Sequence, residues 1–139
     1  MDKTVSHPPV PVPLGVEMTT NWRNYYADIT GTSPNDAFRG FRIPLEDLQA
    51  MVDLAKADPS ITTVRAYLAL GEPVSNGGVS SDNVHLLLVP VIDNTPTGTD
   101  MLEVERAGKS VSTIMDFTTP CPAQCDTSSV LYGPQTIQD

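Results

Sequence analysis

Thr62-Thr63-Val64-Arg65-Ala66-Tyr67-Leu68-Ala69-Leu70 and Val84-His85-Leu86-Leu87-Leu88-Val89-Pro90-Val91-Ile92 are the two stretches that decide the fold. The first alternates. Val64, Ala66, Leu68 and Leu70 fall on one face of a strand, and Arg65, Tyr67 and Ala69 on the other. The second is almost continuously apolar and is bounded by turn-forming residues. That pattern predicts a central strand covered on both faces. Gly71 to Asn83 contains Pro73 and Ser75-Asn76-Gly77-Gly78, so the two strands are expected to form an antiparallel hairpin with a long loop.

Working outward, Asp93 to Asp100 reads as a turn-rich connection. Met101 to Val104 and Val111 to Phe117 read as two further strands joined through Ala107-Gly108-Lys109. On the N-terminal side, Leu45, Leu48, Val52 and Ala55 share one face of a helix, which Met51 and Leu54 widen. Pro44 fits its first turn, Glu46 and Asp47 complement its dipole, and Asp58-Pro59 ends it. A shorter helix is predicted over residues 17–29. Thr19, Thr20 and Asn21 offer caps, and Trp22, Tyr25, Tyr26 and Ile29 form a docking face. Residues 30–37 form a loop. Residues 1–15, with His7-Pro8-Pro9-Val10-Pro11-Val12-Pro13, favour an extended polyproline II arm. The expected architecture is α+β: that arm, then a single domain over 16–139 with a small antiparallel sheet of about four strands and two helices on one face.

The chain has 139 residues, a one-domain length with room for a sizeable core. Its 8 basic and 17 acidic residues give a net charge of −9. Scattered cations on an acidic chain argue against nucleic acid and against an anionic membrane surface. No stretch is apolar for long enough to cross a bilayer, and the first residues lack the apolar core of a signal peptide, so a cytoplasmic location is expected.

Chemistry-bearing residues concentrate in Asp116-Phe117-Thr118-Thr119-Pro120-Cys121-Pro122-Ala123-Gln124-Cys125-Asp126. Cys121 and Cys125 are a candidate disulfide or redox pair. The three-residue spacer departs from the two-residue spacer of dithiol catalysis, and no helix pattern follows. Structural zinc needs four ligands, whereas the chain offers two cysteines and two widely separated histidines, so no metal or other cofactor is expected. The leading reading of the pair is structural, with a disulfide second and redox chemistry third. A second candidate group is Arg65, Tyr67, His85 and Asp116. Strand parity sets Arg65 and Tyr67 on one face of their strand and His85 with Leu87 and Val89 on one face of the next, and a suitable register brings these beside Asp116. Such a cluster binds an anion or exchanges protons, although an exposed polar face with one ion pair is the commoner meaning.

Phe41-Arg42-Ile43-Pro44-x-x-Asp47-Leu48, Val64-Arg65-Ala66-Tyr67-Leu68, the run from His85 to Val91, and the closing Phe-Thr-x-Pro-Cys-Pro-x-x-Cys signature resemble small uncharacterised proteins of Bacteroidetes-type bacteria. The resemblance covers about residues 38–126. It implies a bacterial protein and transfers no catalytic residue. No nucleophile motif or phosphate-binding glycine loop is present. The expectation is a small non-catalytic domain that binds a protein or small molecule, with a thiol-redox protein or enzyme built on Cys121 and Cys125 as the alternative.

Overall fold

The structure is a computed structural model and describes residues 7–117, 120–121 and 126–133. Its first helix, α1 (Val12–Thr30), starts earlier than the sequence predicts. Pro11 occupies the N-cap and Pro13 lies in the first turn, where a missing N–H costs no helical hydrogen bond. The helix therefore takes in residues 12–15, which the sequence pattern assigned to the arm. Thr19 and Thr20 are not caps. Their hydroxyls donate back to the carbonyls of Gly15 (3.0 Å) and Val16 (2.7 Å) inside the helix. Gly31 ends α1 in the left-handed region at φ 69°, its N–H bonded to the Ala27 carbonyl.

The buried side of α1 is Arg23, Tyr26 and Ala27. Tyr25 and Ile29, assigned to the docking face from sequence, are exposed. Trp22 meets Tyr26 and Phe38 at ring distances of 5.9 Å each and donates its Nε1–H to the Phe38 carbonyl at 2.7 Å. Those contacts anchor the helix to the loop that follows it. Arg23 holds the segment 126–133 through the Leu131 carbonyl, and Arg39 holds it through the Tyr132 carbonyl while stacking on the Tyr132 ring. Burial first, then the neighbouring Arg39 charge, lower the Arg23 pKa from its ordinary value.

After the two-residue strand β1 (Gly40–Phe41), α2 (Leu45–Ala57) begins with Pro44 at its N-cap. Its buried stripe is rotated from the predicted one. Met51 is the buried centre, with Leu54 and Ala55 half-buried, whereas Leu45, Leu48 and Val52 are exposed. The sheet accepts only a narrow strip, because Met51 packs on Leu88 with Ile43, Leu86 and Met115 around it. Burying a side chain such as Leu88 contributes about 2 kcal/mol relative to leaving it in water.

The remaining strands are β2 (Ile61–Leu70), β3 (Val84–Ile92), β4 (Thr99–Asp100), β5 (Glu103–Arg106), β6 (Lys109–Ser112), β7 (Met115–Phe117) and β8 (Pro120–Cys121). The main sheet is antiparallel and four-stranded. β2 pairs along one side of β3, and β4 and β7 share the other side. The expected hairpin is present, and β3 is the central strand. Directly paired residues share a face, so Val64, Ala66, Leu68 and Leu70 lie with Val84, Leu86, Leu88 and Met115 on the face that Met51 of α2 packs against, although the β2 members themselves stay exposed. The C-terminal strands are divided differently from expectation. β5 and β6 form their own hairpin across Ala107 and Gly108, both at positive φ (50° and 76°). Thr113 breaks the predicted 111–117 strand. Its N–H donates to the Leu102 carbonyl and its hydroxyl to the Met101 carbonyl, freeing Met115–Phe117 to join β3.

Candidate functional site

The sheet face opposite the helices carries the polar residues singled out from sequence. The register gives four rows across it: Ala69 with His85, Tyr67 with Leu87 and Asp116, Arg65 with Val89, and Thr63 with Val91 and Asp100. Arg65, Tyr67, His85 and Asp116 thus share one face. Their bonds divide into two groups. His85 Nδ1 lies 3.0 Å from Asp116 Oδ2 and 3.1 Å from Oδ1, a diagonal contact between β3 and β7. Arg65 instead pairs with Asp100, and the Tyr67 hydroxyl donates to the other oxygen of the same carboxylate. Arg65 also donates to the Thr97 carbonyl.

Asp100 was not among the sequence candidates. It stands on β4, opposite Val91, on the far side of β3 from Arg65 and Tyr67. The clasp therefore passes over β3 and roofs its apolar side chains. That placement accounts for Val89 and Val91 at 2% and 4% exposure on the face without helices. Hydrogen bonding with Tyr67 first, and then the Asp100 charge, raise the pKa of the Arg65 guanidinium. Arg65 and Tyr67 both bond to the Asp100 carboxylate and Arg65 also to the Thr97 carbonyl, so the clasp is cohesive rather than receptive. The His85–Asp116 pair is partly exposed and separated from the clasp by Leu87.

Of the cysteine pair, Cys121 takes part in the two-residue pairing of β8 with β1, opposite Gly40. Cys125 lies outside the described residues. Among the described residues, no group of three or more His, Cys, Asp or Glu side chains is arranged to hold a metal ion, and no helix is long and apolar enough to cross a membrane.

The exposed feature of the sheet is the outer edge of β2. Pro90 lacks an N–H, and its carbonyl accepts from Met101, on the side of β3 away from β2. Val64 and Pro90 are therefore a pair without mutual hydrogen bonds, and alternation makes Ala66–Leu88, Leu68–Leu86 and Leu70–Val84 the same. Val64, Ala66, Leu68 and Leu70 must point their N–H and C=O groups outward, and no partner meets them among the described residues. Arg65 is the one charged residue on this strand. Beside its Leu70 end lies a groove of about 340 Å³ between α1 and the sheet, lined by Trp22, Tyr26, Ile29, Phe38, Leu68 and Leu70 among others. Leu68 and Ile29 are 68% and 61% exposed there. Sequence alternation located β2 but did not reveal that it is an edge, because edge position depends on strand order. Comparisons of the chain with protein-family models, with curated proteins and with solved structures found no match.

Proposed function

We propose that this protein is a non-catalytic binding domain that takes an extended polypeptide along the outer edge of β2. The observation that carries the reading is the row of outward N–H and C=O groups at Val64, Ala66, Leu68 and Leu70, flanked by an exposed apolar groove. An added strand satisfies those backbone groups, while its alternate side chains reach the groove; this is how sheet edges recognise peptides elsewhere. The polar face supports the same choice, since Arg65, Tyr67 and Asp100 are engaged with one another.

The test is a nuclear magnetic resonance titration with a short capped peptide alternating valine and threonine. The expected shifts fall on the amides of Val64, Ala66, Leu68 and Leu70 and on groove side chains. Shifts centred instead on His85 and Asp116, or no shifts at millimolar peptide on protein dilute enough to be monomeric, overturn the reading.

A further inference from the structure

We infer that the polypeptide taken by this edge is β2 of a second copy, paired antiparallel about a two-fold axis at Ala66. The inference rests on the strand-addition reading above and names its partner. The strand is self-complementary in that register. Val64 of each copy faces Leu68 of the other, both exposed in one copy at 44% and 68%. Thr62 of the second copy falls opposite Leu70, so its Thr62–Val64 segment runs beside the groove that Leu68 and Leu70 line. On the opposite face, Arg65 of each copy stands across from Tyr67 of the other, a cation beside an aromatic ring.

The backbone agrees with the side chains. Ala66, Val64 and Leu68 all direct their polar groups outward, so an axis at Ala66 closes about six hydrogen bonds between the copies. Two of the alternative registers are worse. An axis at Arg65 sets two guanidinium groups directly opposite, and an axis at Leu68 brings Glu72 against Val64. The edge also lacks the usual protections against pairing: from Val64 to Leu70 it has no proline, no lysine and no bulge, and its one irregularity lies between Ile61 and Thr63. Two-fold pairing covers such an edge once and then stops, whereas unlimited pairing would aggregate the protein.

Sedimentation of the full chain, from micromolar to hundreds of micromolar, is expected to show a concentration-dependent dimer. Leu68→Lys should weaken it on the order of tenfold or more while leaving the circular dichroism spectrum unchanged, because that side chain is already exposed. The register is read separately by crosslinking, in a chain carrying Cys121→Ser and Cys125→Ser. Ala66→Cys should form a disulfide between copies, since paired Cα atoms in this geometry lie about 5.5 Å apart. Val64→Cys, whose two copies stand far apart across the axis, should not. A monomer at every concentration, a dimer indifferent to Leu68→Lys, equal crosslinking at both positions, or open-ended aggregates would overturn the inference. A monomer that still shows peptide-induced shifts along β2 leaves the strand-addition reading standing and removes self-pairing. A monomer with no such shifts removes both.

Discussion

Asp100 accepts from Arg65 and from Tyr67 across the width of β3, and the three side chains together cover Val89. Asp100→Ala should open that cover, leaving two donors to water and two valines partly wetted. The expected result is a thermal midpoint lowered by a few degrees, with Asp100→Asn intermediate because the amide keeps one acceptor. The loss from the charged part should shrink at high salt. Asp126 is a second residue whose charge has a local task. Its carboxylate accepts from the Ser128 hydroxyl at 2.6 Å and from the Ser128 N–H at 3.0 Å. Those bonds, hydroxyl first, lower its pKa from the ordinary 3.8. A depressed folded pKa means stabilisation that is complete above the ordinary value and lost as pH falls through the lowered one. Titration of the Asp126 carboxyl by nuclear magnetic resonance should give a midpoint below 3.8, and Asp126→Ala should remove that part of the acid sensitivity. At this scale strand parity paired Arg65 with Tyr67 and His85 with Leu87, and the register between β2 and β3 brought the two sets to one face. Asp100 was illegible because its role depends on which strand lies beyond β3, and residue order carries no such information.

Among the elements, the β5–β6 hairpin has the clearest misfit between residue and conformation. Ala107 sits at φ 50° in a two-residue turn whose second position is Gly108 at φ 76°. An alanine in the left-handed region is strained, and asparagine adopts that region more readily. Ala107→Asn should therefore stabilise the protein by up to about 1 kcal/mol, read as a rise in the thermal midpoint. The same hairpin shows why the C-terminal half was only partly legible. The turn signal at Ala107-Gly108 was visible, but the break at Thr113 comes from bonds to the Met101 and Leu102 carbonyls, which periodicity does not register. In α2 the helix was legible and its buried stripe was not. The pattern favoured the line through Leu45, Leu48 and Val52, while the site on the sheet admits Met51 against Leu88. Leu88→Ala should cost about 2–5 kcal/mol, measured by denaturant unfolding, whereas Leu45→Ala on the exposed line should cost well under 1 kcal/mol.

For the whole molecule, the net charge of −9 and the β2 edge pull association in opposite directions. Two copies approaching one another carry like charge, which opposes their meeting. The strand that meets, Ile61–Leu70, holds no acidic residue and a single arginine, so the repulsion acts from a distance while the contact itself is apolar and backbone-bonded. Added salt shortens the screening length from about 10 Å at 0.1 M to about 3 Å at 1 M. It should weaken the distant repulsion and barely touch the strand pairing. Self-association is therefore expected to tighten several-fold between low and high salt, and sedimentation at a series of sodium chloride concentrations reads the change directly. A contact held instead by Arg65 against an acidic surface would weaken over the same series. The sign of the salt dependence thus separates an apolar edge pairing from a charge-held contact, because the edge and the net charge make opposite demands.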